Sequence, residues 1–290
     1  MAEAENSLYS TYVVNCVINA VSSCTTIMLN ILTIHAIRKT SSLPKPLKTL
    51  LLSLAFSDLG VGSVAQPLYI VKMANPTSFA NVAYKSQLIF TVASFLSVVA
   101  ISVERFLAIH LHLRYQELVT HERVVAVVIS IWILSVLYGL LDLFLSSEKP
   151  VYVILFVILG FCLIITGIIY CRLYYTVHHH TNQIQVLQMQ VARNISQIES
   201  AARQKKSAVS TLYVYLVFLF CCLPEYCISL TFLISPPSSV VLILVFYTRT
   251  LLYLNSSLNP VIYCWKMRHL RHAIIDTLRN IFPRQNQANL

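Results

Sequence analysis

The sequence predicts an all-α fold: one domain over residues 1–290, a seven-transmembrane helix bundle with a short amphipathic helix on the inner leaflet. Three observations carry this. Of 290 residues, 57% are hydrophobic and 11% are charged, where an ordinary soluble domain is about 25% charged. Seven stretches are long and apolar enough to cross hydrocarbon, which takes about 20 residues of helix. The basic residues gather in alternate connections, the pattern that orients a bundle with an odd number of crossings. The net charge of +10 does not mark a nucleic-acid binder, whose charge lies in dense stripes on a polar surface.

The spans follow in order. The first covers about 12–37 and has no Asp, Glu, Lys or Arg. The second, about 46–71, holds only Asp58 from Thr49 onward. The third, about 82–109, is free of charge from Ser86 to Val103 and ends in Glu104-Arg105. The fourth, about 123–145, and the fifth, about 150–177, are charge-free over Val124 to Leu141 and Val151 to Cys171. The sixth, about 206–234, is charge-free from Ser207 to Pro224, and the seventh, about 238–265, contains only Arg249. After it, residues 266–282 are basic, with Met267, Leu270, Ile274, Leu278 and Phe282 on one side. Such a helix suits the surface of an anionic leaflet, so membrane lipid is an expected partner.

All basic residues except Lys72, Lys85, Lys149 and Arg249 fall toward one side. The positive-inside rule makes that side cytoplasmic and the N-terminus external. Residues 1–11 lack a basic n-region, so no cleavable signal peptide is expected there. The external links 146–150 and 235–239 are short. The cytoplasmic link from His178 to Lys205 carries Ile184, Leu187, Val191, Ile195 and Ile198 at helical spacing. Two readings stand for it: extensions of the fifth and sixth helices, or a flexible polar loop. The eight cysteines all lie in spans, which fits packing rather than a disulfide framework or a metal site.

Polar residues inside the spans share one depth. Asp58, Ser94, Asn255 and Asn30 sit roughly 10–17 Å above the cytoplasmic boundary at the helical rise. An ionisable group there is costly and marks function by default. A carboxylate among amide and hydroxyl oxygens suits a small hard cation such as sodium. The alternative is a hydrogen-bonded polar core with only water inside.

The motifs, in order along nearly the whole chain, resemble the rhodopsin-like (class A) G-protein-coupled receptors. They are Asn30, Leu54-Ala55-Phe56-Ser57-Asp58, Glu104-Arg105-Phe106, Trp132, Phe218 with Cys221-Cys222-Leu223-Pro224, and Asn255 through Asn259-Pro260 to Tyr263. The resemblance implies a plasma-membrane receptor, not an enzyme, that passes a signal from a small or lipophilic extracellular ligand to a heterotrimeric G-protein. It implies a sodium pocket of Asn30, Asp58, Ser94, Asn255, Ser256 and Asn259, and no other cofactor. It implies that Arg105 pairs with Glu104 at rest and swings toward Tyr170 and Tyr263 on activation, beside Phe106. Leu113 would pack into the G-protein, and Phe218, Pro224 and Pro260 belong to the activation switch.

The chain also departs from that pattern. Ala80 stands where the family has its external disulfide cysteine, and Cys222 replaces the Trp of the sixth helix. Asp142 and Cys162 replace common prolines. The run Leu113 to Thr120 looks most like the adenosine, melanocortin and lipid-mediator branch. Gln87, not Asp, occupies the aminergic position, and Tyr253 stands where opsins carry the retinal lysine. The expected ligand-binding residues are Gln66, Gln87, Cys222, Glu225, Arg249 and Tyr253. Glu225 and Arg249 either pair with each other or hold a zwitterionic or carboxylate ligand. A membrane transporter, or a receptor-derived protein that no longer signals, is the alternative function.

Overall fold

The computed structural model describes residues 2–41, 43–75, 79–111, 114–141, 195–234, 238–266 and 268–281, with 153, 157, 158, 160–172 and 175 between. Leu113, Asp142, Lys149, Met267, Phe282, the link 146–150 and residues 176–194 lie outside the described residues. The elements are α1 (Ala2–Lys39), α2 (Lys45–Gly60), a π-helical turn (Val61–Ala65), α3 (Gln66–Ala74), α4 (Ala80–His110), α5 (Tyr115–Leu118) and α6 (His121–Leu140). They continue with α7 (Gly160–Arg172), α8 (Ile195–Ile234), α9 (Ser239–Lys266) and α10 (Arg268–Ile281). Six helical segments are long and apolar enough to span a membrane, and the shorter apolar α7 occupies the fifth predicted span. With the seven-helix pattern complete in order, the chain is a multi-pass membrane protein.

Two boundaries move outward from the sequence expectation. Helix α1 begins at Ala2 and α8 at Ile195, so the sixth helix does extend past the apolar stretch. Pro44 precedes α2, and Pro46 lies in its first turn, where a missing N–H costs nothing. Thr120 caps α6 by accepting a 3.4 Å bond from the Arg123 N–H.

The helices turn polar faces inward and apolar faces outward, as hydrocarbon solvent requires. On α1, Val13, Val17, Val21, Met28 and Ile31 are exposed. The same helix buries Thr11, Asn15, Asn19, Ser22, Ser23, Thr26, Asn30 and Thr33, a stripe at three- and four-residue spacing. This stripe packs on α9 and the second span. Asn19 donates to Thr250 Oγ1 at 2.8 Å, and Thr250 donates to Asn15 Oδ1 at 2.7 Å.

The π turn sits one residue beyond Gly60, directly after the Asp58 layer. Pro67 has no N–H to offer the Gly62 carbonyl in the widened register. The Ser23 hydroxyl donates to that carbonyl instead, at 2.7 Å. Close approach makes this possible: a Cβ on Gly62 would lie 3.0 Å from Thr26. The extra residue of a π turn rotates every later position by about 100°. Gln66 therefore faces α1, where its Nε2 donates to Ser22 Oγ at 2.6 Å.

Two apolar clusters sandwich the polar layer. One, toward Arg105, gathers Leu50, Leu54, Val98, Ile101, Tyr215 and Tyr263, and Leu270 of α10 reaches it fully buried. The other, toward Arg249, gathers Val61, Ala65, Tyr69, Met73 and Tyr253.

Candidate functional site

The polar layer is built around Asp58, whose side chain is wholly buried. Ser94 Oγ donates to Oδ1 at 3.3 Å, and Asn259 Nδ2 donates to Oδ2 at 2.8 Å. Asn30 Nδ2 donates to the Ser256 carbonyl at 3.0 Å and to that of Thr26 at 2.9 Å. The amide oxygens of Asn30, Asn255 and Asn259 are buried without a hydrogen-bond donor. Unsatisfied buried oxygens are rare because each forfeits its hydration. Beside them lies a cavity of about 10 Å³ lined by Ser94, Asn255 and Ser256, roughly the room one water-sized particle takes. A carboxylate, two serines and three orphan amide oxygens form an oxygen-only donor set. That set fits a small hard cation by its chemistry.

Toward Arg105, α4 ends in a local ion pair. Arg105 Nε donates to Glu104 Oε2 and Nη2 to Oε1, both at 2.5 Å, with both side chains buried. Tyr115 of α5 donates to Glu104 Oε1 as well. Burial, together with the Glu104 carboxylate, pushes the Tyr115 hydroxyl well above its usual pKa, so it stays a donor. Sequence reasoning did not single out Tyr115, since only the fold brings the loop under the ion pair. Phe106 stacks on His110 at 4.0 Å. Tyr170 accepts from Ser102 Oγ at 2.9 Å and stacks on Tyr215 at 4.7 Å. The Tyr263 hydroxyl is buried with no hydrogen bond. Pro224 and Pro260 lie inside α8 and α9. At this same end, Lys266 of α9 lies 3.8 Å over the ring of Tyr213 on α8 and 3.5 Å over Trp265. That cation–π contact ties α8 to α9. Leu113 is outside the described residues.

Toward Arg249 the helices part around a cavity of about 540 Å³. Gln87, Cys222, Glu225 and Arg249 line it, with Lys72, Tyr84, Phe95, Tyr138, Phe218 and Ser229. Glu225 and Arg249 are bonded to each other. Arg249 Nη2 and Nε donate to Oε1 at 2.9 and 3.2 Å, and Thr248 Oγ1 donates to Oε2 at 2.6 Å. The sequence expectation needs two corrections. Gln66 does not reach the cavity, because the π turn rotates it onto α1. Tyr253 stands behind the wall, its hydroxyl donating to Gln87 Oε1 at 3.1 Å and its ring against Tyr69.

The large cavity and the small one share three wall residues: Thr91, Phe218 and Leu252. Phe218 stacks on Phe95, centroids 5.5 Å apart. Cys222, one turn further along α8, is small enough to leave this stack as the floor of the large cavity. The Phe218 ring therefore walls both the large cavity and the small one beside Ser94, Asn255 and Ser256. The sequence marks Lys72 only as an external charge; it reaches the cavity because α3 continues to Ala74.

The family described as "7 transmembrane receptor (rhodopsin family)" matches residues 29–152 and 146–263. The chain is similar to adenosine receptor A3 of Canis lupus familiaris, 26% identical over 90% of this chain and 89% of that one. It is similar to adenosine receptor A3 of Ovis aries, 28% identical over 86% and 84%. It is also similar to melanocortin receptor 3 of Homo sapiens, 26% identical over 90% and 83%. These relatives are receptors by name, not enzymes.

Proposed function

The chain belongs to the rhodopsin family of seven-transmembrane receptors, and we propose that it reports a small ligand in the large cavity to a heterotrimeric G-protein docked at the Arg105 end. A G-protein-coupled receptor needs a cavity on one side, a transducer surface on the other and a mechanical link between. The observation that carries this reading is the shared wall: Thr91, Phe218 and Leu252 face both cavities. The transporter alternative is not favoured, since the family is one of receptors. The charge distribution supports a plasma-membrane orientation with Arg249 toward the exterior and Arg105 toward the cytoplasm.

The resting arrangement is held at three levels. Asn30, Asp58, Ser94, Asn255, Ser256 and Asn259 would hold a sodium ion, supplying positive charge that neutralises the Asp58 carboxylate and favours the resting packing. Glu104 and Tyr115 keep Arg105 folded along α4. Lys266 and Tyr213 clamp α9 to α8. Ligand contact displaces the Phe95–Phe218 stack, and α8 swings about Pro224, where the backbone lacks one hydrogen bond. Arg105 then turns toward Tyr170 and Tyr263, the latter already buried with an unused hydroxyl. Phe106 completes the described part of the surface offered to the G-protein.

The ion layer gives a direct test. Nucleotide exchange stimulated by the wild-type receptor should fall as sodium replaces N-methylglucamine at constant ionic strength. Asp58→Asn keeps the size of the side chain and removes its charge, so its exchange should be flat across the same titration. An equal sodium response in both proteins rules the layer out as the cation site.

A further inference from the structure

We propose that the large cavity takes an anionic amphiphile, its carboxylate or phosphate head group between Lys72 and Arg249 and its apolar body on the cavity floor. This rests on the receptor reading of the same cavity and adds the chemical class of its ligand.

The charge inventory of the cavity is short. Among the described lining residues only Lys72, Arg249 and Glu225 are charged. The Glu225 carboxylate is already engaged, with two bonds from Arg249 on one oxygen and one from Thr248 on the other. Among the described lining residues a cationic ligand finds no unpaired acid and meets two cations. Gln87 on the same wall is neutral, and its Oε1 already accepts from Tyr253.

Lys72 is the charge left over. It lies in the last turn of α3, where the helix dipole favours a cation. Among the described residues it has no ion-pair partner, and it is only half-exposed. It lies close enough to Arg249 for the two charges to repel. Two cations facing a partly dehydrated cavity raise each other's free energy, and an anion placed between them removes that repulsion. Arg249 can serve while still paired, because a guanidinium has five N–H donors and Glu225 uses two.

The rest of the lining sets the ligand's other end. Leu88, Val92, Leu163, Val245 and Leu252 are apolar, and the Phe95–Phe218 stack closes the floor. A volume of about 540 Å³ falls within the roughly 300–1,000 Å³ of sites for drug-sized ligands. One charged end and a mostly apolar wall, broken by neutral hydroxyls and the Gln87 amide, describe an amphiphile.

The test compares four ligands that share a tail: octyl phosphate, octanoate, octanol and octylamine. Each is titrated against the full-length receptor in phosphatidylcholine nanodiscs, with Tm as the readout and inorganic phosphate as the head-group control. The two anions should raise Tm saturably, while octanol, octylamine and phosphate should not. Lys72→Gln should weaken the apparent affinity for both anions by about tenfold or more, the loss of a charge-assisted contact. Lys72→Arg should keep it. A phosphatidylserine nanodisc that raises Tm in the wild type but not in Lys72→Gln assigns the same head-group chemistry to a bilayer lipid. Equal shifts by octylamine and the anions, no saturable shift by any anion, or anion affinity unchanged in Lys72→Gln overturns the proposal. Ligand-free nucleotide exchange on a G-protein panel, run on the same samples, separates the two levels. Exchange present with no anion response sinks the ligand class alone, whereas no exchange in any wild-type sample sinks the receptor reading beneath it.

Discussion

Replacing Glu225 by Ala leaves the Arg249 guanidinium buried without its carboxylate, and the protein should largely fail to reach the cell surface. The pair is 16% and 11% exposed, so solvent screens it little. Breaking such a pair from one side costs about 3–5 kcal/mol, because the surviving charge keeps its desolvation penalty. That is a large part of the total stability of a domain. Arg249→Ala should be similarly damaging. The double variant Glu225→Met with Arg249→Met should recover much of the loss, since a well-packed apolar pair removes both charges from the interior. Surface immunostaining and the Tm of purified protein check this. Recovery in neither measure by the double variant would mean the two residues are needed for more than pairing.

Replacing Glu104 by Gln should raise ligand-independent nucleotide exchange. Glu104 holds Arg105 through two charge-assisted bonds and takes a third from Tyr115. Removing its charge weakens the bidentate grip by about 1.5–3 kcal/mol, and roughly each 1.4 kcal/mol is a tenfold change in an equilibrium constant. The population with Arg105 released should therefore rise at least about tenfold from a low resting value. Tyr115→Phe removes one of the three bonds and should act in the same direction, more weakly. Basal exchange in the presence of one G-protein type is the measurement. A Glu104→Gln receptor no more active than wild type would detach the ion pair from the resting state.

Much of this was legible in the amino-acid order, because the bilayer imposes strong rules. A span such as 238–265, apolar but for Arg249, has little choice of structure, and the chain forms a helix there from Ser239 to Lys266. The depth shared by Asn30, Asp58, Ser94 and Asn255 could be counted along four helices, and the fold puts Ser94 on the Asp58 carboxylate and Ser94 and Asn255 on one small cavity. Rotation about a helix axis was less legible. The π turn at Val61–Ala65 leaves only Gly62 and Pro67 as signs in the sequence, yet it turns Gln66 away from the cavity. The buried stripe of α1 was present as spacing, but Asn, Ser and Thr barely disturb a hydropathy profile, so only Asn30 stood out. Tyr115 and Lys72 depend on where a loop and a helix end come to rest, which no local pattern encodes.

The central claim is that a ligand cavity at one end governs a transducer surface around Arg105 at the other. Nucleotide exchange on a panel of heterotrimeric G-proteins, with purified receptor in nanodiscs and Arg105→Ala beside it, tests that claim most directly. The wild-type receptor should accelerate exchange on at least one G-protein type, and Arg105→Ala should remove the acceleration, with Glu104→Gln/Arg105→Ala beside it because the single variant leaves the Glu104 carboxylate buried without its cation and lowers Tm. No acceleration on any member of the panel by the wild type or by Glu104→Gln, or equal acceleration by Arg105→Ala, would contradict it.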